Sequence, residues 1–168
     1  MIRSARRTYR GFTIIEIMVA IGILGILAAI AIPPWAQYRA RMEAYEIANA
    51  LRGDLQLAKV MTLDNQSSYS VEYSAADNAY NVLLDSTEDS STDRDPVRIV
   101  LVGQRVNLGA ANWKITFAER GWVNESRSTQ ALRTGGDARF VVYCITVTAP
   151  GVVDIPVRVY LDGKVDVG

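Results

Sequence analysis

The chain contains no histidine, which removes the commonest metal ligand and the commonest general base together. Its single cysteine, Cys144, excludes an intrachain disulfide whichever compartment the domain occupies. Neither sign of charge is in excess, because 18 basic residues face 18 acidic ones. There is no glycine-rich phosphate loop, no nucleophile motif and no internal repeat, so neither a catalytic constellation nor a solenoid is indicated. The sequence therefore reads as a protein that is not an enzyme and carries no cofactor.

What is present is unevenly placed. Arg3, Arg6, Arg7 and Arg10 all precede Phe12, and a run from Phe12 to Ile32 then follows whose one charged residue is Glu16. Without residues 1–11 the chain would hold 14 basic residues against 18 acidic ones, a balance with no global attraction for nucleic-acid phosphates. As a helix the 21-residue run is about 31 Å long, which matches the hydrocarbon core of a bilayer. The arginines before it place the N-terminus in the cytoplasm and export the C-terminal domain. Glu16 works against simple anchoring, since an acidic residue at a helix centre costs about 2.5–3.5 kcal/mol and less near an end. An ionisable group kept at such a cost points to a function.

Two other readings of this segment exist. Ala29-Ile30-Ala31 is a small-x-small triplet that would suit an ordinary signal peptidase and release a domain beginning at Ile32. Against it, the apolar run exceeds a typical signal-peptide core and contains Glu16. The other reading is a plain single-pass anchor with an accidental glutamate. Gly22 and Gly25 suit close helix packing, and equally suit ordinary membrane-helix glycines.

Pro33-Pro34 predicts a bend or loosening, because an interior proline removes a backbone hydrogen bond. The helical pattern nevertheless resumes. Ala44, Ile47, Ala48, Leu51, Leu55 and Ala58 repeat at helical spacing, with Arg41, Glu43, Arg52 and Lys59 between them, which predicts one helix from about Phe12 to Leu63. Beyond Leu63 the period becomes two. Tyr69, Val71 and Tyr73 alternate with polar residues, Asp77-Asn78 marks a turn, and residues 80–84 supply the hairpin partner. Further strands are expected over 97–102, 113–117, 140–148, 155–161 and 164–167. The expected fold is α+β, with a long N-terminal helix packed on an antiparallel β-sandwich-like domain. The division is a leader over 1–11, a hydrophobic helix over 12–37 and a globular domain over 38–168.

Arg10-Gly11-Phe12-Thr13-Ile14-Ile15-Glu16 resembles the class III signal of type IV prepilins. The resemblance implies that a prepilin peptidase cuts between Gly11 and Phe12, that Phe12 is then N-methylated, and that Glu16 serves filament assembly. Pilins often carry a proline where the helix yields during packing, and the resemblance implies that role for Pro33 and Pro34. In the domain, Leu55-x-x-Ala58-x-x-Met61, Ile115 to Gly121 and Asp162-Gly163-Lys164-Val165 are similar to the H-type minor pseudopilins of type II secretion and the FimT/FimU-type minor pilins. The implied function is a subunit of a type II secretion pseudopilus or a type IV pilus. It would lie in the inner membrane with its domain periplasmic before joining other pilin or pseudopilin subunits.

A different class of function is a DNA-binding minor pilin for natural transformation. Trp113 and Trp122 with Arg120, Arg127, Arg133 and Arg139 have the residue types of a single-strand binding surface. Glu119, Glu125 and Asp137 dilute that surface, and the tryptophans read better as core. Some FimT-type members bind DNA through a basic tail, whereas here Asp162 and Asp166 outnumber Lys164. The acidic run Asp85, Glu88, Asp89, Asp93 and Asp95 could offer oxygen ligands to calcium, but fits no EF-hand spacing and reads first as solvated surface. Cys144 alternates with Val142 and Thr146, which suggests a buried small hydrophobe.

Overall fold

The computed structural model describes residues 11–85, 96–134 and 142–168, without the side chains of residues 31–34. One helix, α1, runs Ile14–Asn65, followed by β1 (Tyr69–Ser74), β2 (Ala79–Leu84), β3 (Arg98–Leu101), β4 (Trp113–Phe117), β5 (Arg133–Thr134), β6 (Val142–Val147), β7 (Ile155–Tyr160) and β8 (Val165–Val167). By contacts the chain divides into two units, Met1–Ala36 and Gln37–Gly168. The helical assignment continues through Pro33 and Pro34.

The second unit holds the core. Two four-stranded sheets, ordered β3-β2-β1-β4 and β5-β6-β7-β8, are antiparallel throughout. Ala44, Ala48, Leu51, Leu55 and Ala58 of α1 share one buried cluster with Val71, Tyr80, Ile115, Phe117, Tyr143, Ile145 and Val157. The helical stripe visible in the sequence is thus the face that meets the strands. β5, with the short 3-10 turn Gln130–Leu132 before it, was not anticipated, because two exposed residues carry no alternation to read.

Two polar ties fasten α1 within this unit. Asp54 is buried, accepts a hydrogen bond from the Tyr80 hydroxyl at 2.7 Å and pairs with Arg98 at 3.1 Å. Burial, then the hydrogen bond to Asp54 and its negative charge, push the Tyr80 phenol above the ordinary tyrosine value, against the opposing pull of Arg98. One turn further on, Lys59 Nζ donates to the Asp162 carbonyl at 2.9 Å. Its stem passes so close to the β7–β8 turn that a Cβ on Gly163 would lie 2.9 Å from Lys59 Cδ and 2.3 Å from the Gly121 carbonyl oxygen. Gly163 has φ +72°, a conformation that costs a residue with a side chain about 1–2 kcal/mol. The stretches Ile115 to Gly121 and Asp162 to Val165 therefore meet at Gly121 and Gly163, beside Lys59 of the helix.

Candidate functional site

The N-terminal candidate begins outside regular structure and enters α1 at Ile14. Thr13 is the cap. The Glu16 amide donates to the Thr13 carbonyl at 3.1 Å and to Thr13 Oγ1 at 3.3 Å, and the Ile17 amide donates to the same carbonyl at 3.3 Å. Thr13-x-x-Glu16 is thus the residue pattern of a capping box, with Glu16 at the third helical position. A carboxylate there meets the positive end of the helix dipole, a favourable interaction worth about 0.3–1 kcal/mol. Sequence reasoning reads Thr13 only as part of the Gly-Phe-Thr-x-x-Glu motif and misses its role as the helix cap.

Phe12 and every large apolar residue described between Ile14 and Ile30 are exposed. A helix apolar on all sides with nothing covering it requires lipid or other protein around it. Among the described residues no helical segment is by itself long and apolar enough to cross a membrane: within α1, Ile14–Ile30 and Trp35–Asn65 suffice only together, by length and composition. The first of these segments is about 25 Å of helix against a core of about 30 Å.

The structure separates the residues considered for nucleic-acid binding. Trp113 is buried, stacks on Tyr73 with ring centroids 5.5 Å apart and donates its indole N–H to the Leu108 carbonyl at 3.0 Å. Trp122, expected in the core, is instead 63% exposed. It lines an open cleft of about 550 Å³ with Arg120, Arg127, Glu119, Asn124 and Ser68. The cause is strand parity: Phe117 bridges to Val123, and Val123 takes the inward position beside Trp122. Arg127 lies 3.0 Å from Asp85, which also meets Lys114 at 2.9 Å, and Arg133 lies 3.6 Å from Glu125. Arg139 and Asp137 lie outside the described residues.

Two other candidates resolve as follows. Of the acidic run, Asp85 is buried among those cations, while Glu88, Asp89, Asp93 and Asp95 lie outside the described residues. No group of three or more metal-ligating side chains occurs among the described residues. Cys144 is not buried as expected: Tyr143, Ile145 and Val147 take the inner face of β6, leaving Val142, Cys144 and Thr146 half-exposed on the outer one. The larger alternate set fills the core, and the period of two turns the thiol outward.

Comparison with known proteins bears on both units. Residues 6–32 match the prokaryotic N-terminal methylation motif. The crystal structure of the type IV minor pilin FimU of Pseudomonas aeruginosa superposes with a TM-score of 0.52, at 12% identity over 74% of this chain and 91% of that one. The chain thus resembles type IV pilins in its N-terminal segment and in its fold. Its pilin-like sequence similarity includes 45% identity over 51 residues to the fimbrial protein EcpC of Eikenella corrodens, covering 29% of this chain and 33% of that protein. The type IV major alpha-pilin of Moraxella bovis is 31% identical over 85 residues, covering 51% of this chain and 53% of its own. The curated relatives are thus matched over about half their length or less. At the observed identity the likeness to FimU is one of fold.

Proposed function

We propose that this pilin-like chain is a minor pilin or pseudopilin, a filament subunit of a type IV pilus or a type II secretion pseudopilus. It is made with a cytoplasmic leader, cut by a prepilin peptidase between Gly11 and Phe12, N-methylated on Phe12, and held by its apolar helix in the inner membrane. It then joins other pilin subunits. The observation that carries this reading is the methylation motif on a helical segment, Ile14–Ile30, whose described large apolar residues are all exposed. Such a surface is satisfied by lipid before assembly and by neighbouring helices afterwards.

Cleavage creates an α-amine on Phe12, largely cationic at neutral pH. In a staggered stack this amine meets the Glu16 of a neighbouring subunit, because a cation and a carboxylate in hydrocarbon each gain by pairing. Pro33 and Pro34 supply the place where the helix yields as subunits pack. The test compares the cleaved membrane pool with the sheared filament fraction for wild type and Glu16→Ala. Export and cleavage should persist while filament incorporation falls; equal incorporation refutes the pairing role.

Direct DNA binding has one observation in its favour, the exposed Trp122 beside Arg120 and Arg127 in an open cleft. An aromatic platform next to guanidinium groups suits an unstacked base and its phosphate. This reading expects a salt-dependent affinity for single-stranded DNA that Trp122→Ala abolishes, and an unaffected affinity rejects it.

A further inference from the structure

The part of α1 that enters the globular unit presents two distinct faces. Ala40, Ala44 and Ala48 are buried on the side of the strands. Tyr38, Met42 and Tyr45, at i, i+4 and i+7, form a stripe about 130° around the helix from those alanines and are 63%, 53% and 45% exposed. Neither tyrosine hydroxyl has a hydrogen-bond partner among the described residues. By helical spacing Arg41 lies along one margin of the stripe with Arg52 on the same line about two turns beyond Tyr45, and Arg39 and Glu46 lie along the other margin. All four are exposed, and the three arginines make no ion pair among the described residues.

The chemistry of the stripe selects its occupant. Tyrosine has an apolar ring and a polar tip, the combination enriched at the level of lipid headgroups. Arginine lays its stem along apolar surface while its head seeks an anion, and three arginines against one glutamate complement anionic phosphates. In sequence the stripe follows the apolar run that ends at Ile32. We propose that, before assembly, this face of the globular unit lies in the headgroup layer of the membrane. Tyr38, Met42 and Tyr45 sit at the boundary with the acyl chains, and Arg39, Arg41 and Arg52 sit on anionic lipid phosphates. The proposal rests on the membrane residence proposed above and adds to it a second contact, made by the domain itself.

The test uses the full-length chain with Cys144→Ser and single spin labels introduced by Tyr38→Cys, Met42→Cys or Tyr45→Cys. Ile99→Cys on β3 and Val153→Cys in the connection between β6 and β7, both exposed, serve as controls. The chain is reconstituted at less than one copy per vesicle into phosphatidylglycerol–phosphatidylethanolamine vesicles. Flotation comes first, and a chain that fails to float with the vesicles overturns membrane residence and this proposal with it. Given flotation, the three stripe labels should lose collisions with a nickel chelate and gain collisions with oxygen, reporting a depth of about 5–10 Å, while both controls remain aqueous. Stripe labels as aqueous as the controls overturn the proposal alone. Dipolar broadening between stripe labels identifies a second copy as the occupant and likewise overturns it. Combined Arg39→Gln, Arg41→Gln and Arg52→Gln should shift the stripe labels toward water, and an unchanged depth overturns the assignment of phosphates to these arginines.

Discussion

Gly163→Ala measures the junction on which the C-terminal turn closes over the helix. Two separate costs apply. The first is conformational: with φ at +72°, alanine pays about 1–2 kcal/mol that glycine avoids. The second is steric, because the new methyl would lie 2.3 Å from the Gly121 carbonyl oxygen and 2.9 Å from Lys59 Cδ. The turn carrying Gly163 is tied to Lys59 through the Asp162 carbonyl, and that carrying Gly121 is tied to Leu161 through the Val123 amide, and forced overpacking of this kind costs about 1–3 kcal/mol. Gly151→Ala is the matched control, since Gly151 also has φ +72° but a Cβ there meets nothing closer than Gln37 Cγ at 4.0 Å. Thermal unfolding of the full chain in mild detergent, followed by near-ultraviolet circular dichroism, reads both through the buried Trp113. At about 4 °C per kcal/mol for a domain of this size, Gly151→Ala should lower the midpoint by about 4–8 °C. Gly163→Ala should lower it by about 8–20 °C. Equal shifts would show that the close approach carries no energy and that the junction is not a tie.

Intact mass of the membrane-extracted protein should show loss of residues 1–11 and the addition of one methyl group; a mature N-terminus at Ile32 would establish the signal-peptidase reading instead. The Tyr80 phenol is raised in the folded chain, so above about pH 10 the unfolded chain loses this proton first and stability declines as pH rises. Tyr80→Phe should remove that component of alkaline destabilisation while costing about 1–3 kcal/mol at neutral pH, because Asp54 loses a buried partner. Urea titrations at pH 7 and pH 11 check both statements, and an identical pH dependence in the variant refutes the assignment.

The sequence was most legible where one periodicity ruled a long stretch. The stripe from Ala44 to Ala58 and the alternation Tyr69–Val71–Tyr73 define α1 and β1 because each buries one face, and the period names that face. Legibility failed where two alternate sets were both acceptable. On β6 either Val142–Cys144–Thr146 or Tyr143–Ile145–Val147 could have faced inward, and the cavity takes the set containing the tyrosine. Next to Val123, Trp122 has the larger apolar surface, yet its strand position turns it outward. Asp54 was invisible for a different reason. An acid within a helical pattern reads as solvated, and only the fold brings Tyr80 and Arg98 to it. At the N-terminus the candidate residues were legible as a motif, whereas Thr13 as a cap required asking where the first free amides go.

That cap changes how Glu16 must be tested. At the third helical position its carboxylate already has a local reason to exist, since it meets the positive end of the helix dipole and occupies the capping-box position relative to Thr13. Glu16→Ala removes this role together with the charge proposed to meet a neighbour's amine, so a loss of filaments in that variant has two explanations. Glu16→Gln separates them. Glutamine serves a capping box as glutamate does, but offers no charge to an amine desolvated in hydrocarbon, where breaking a buried pair costs about 3–5 kcal/mol. If intersubunit pairing governs assembly, Glu16→Gln should keep a full cleaved membrane pool and lose filament incorporation as severely as Glu16→Ala. If Glu16→Gln assembles at the wild-type level while Glu16→Ala does not, the residue acts by setting the start of its own helix, and the pairing argument fails.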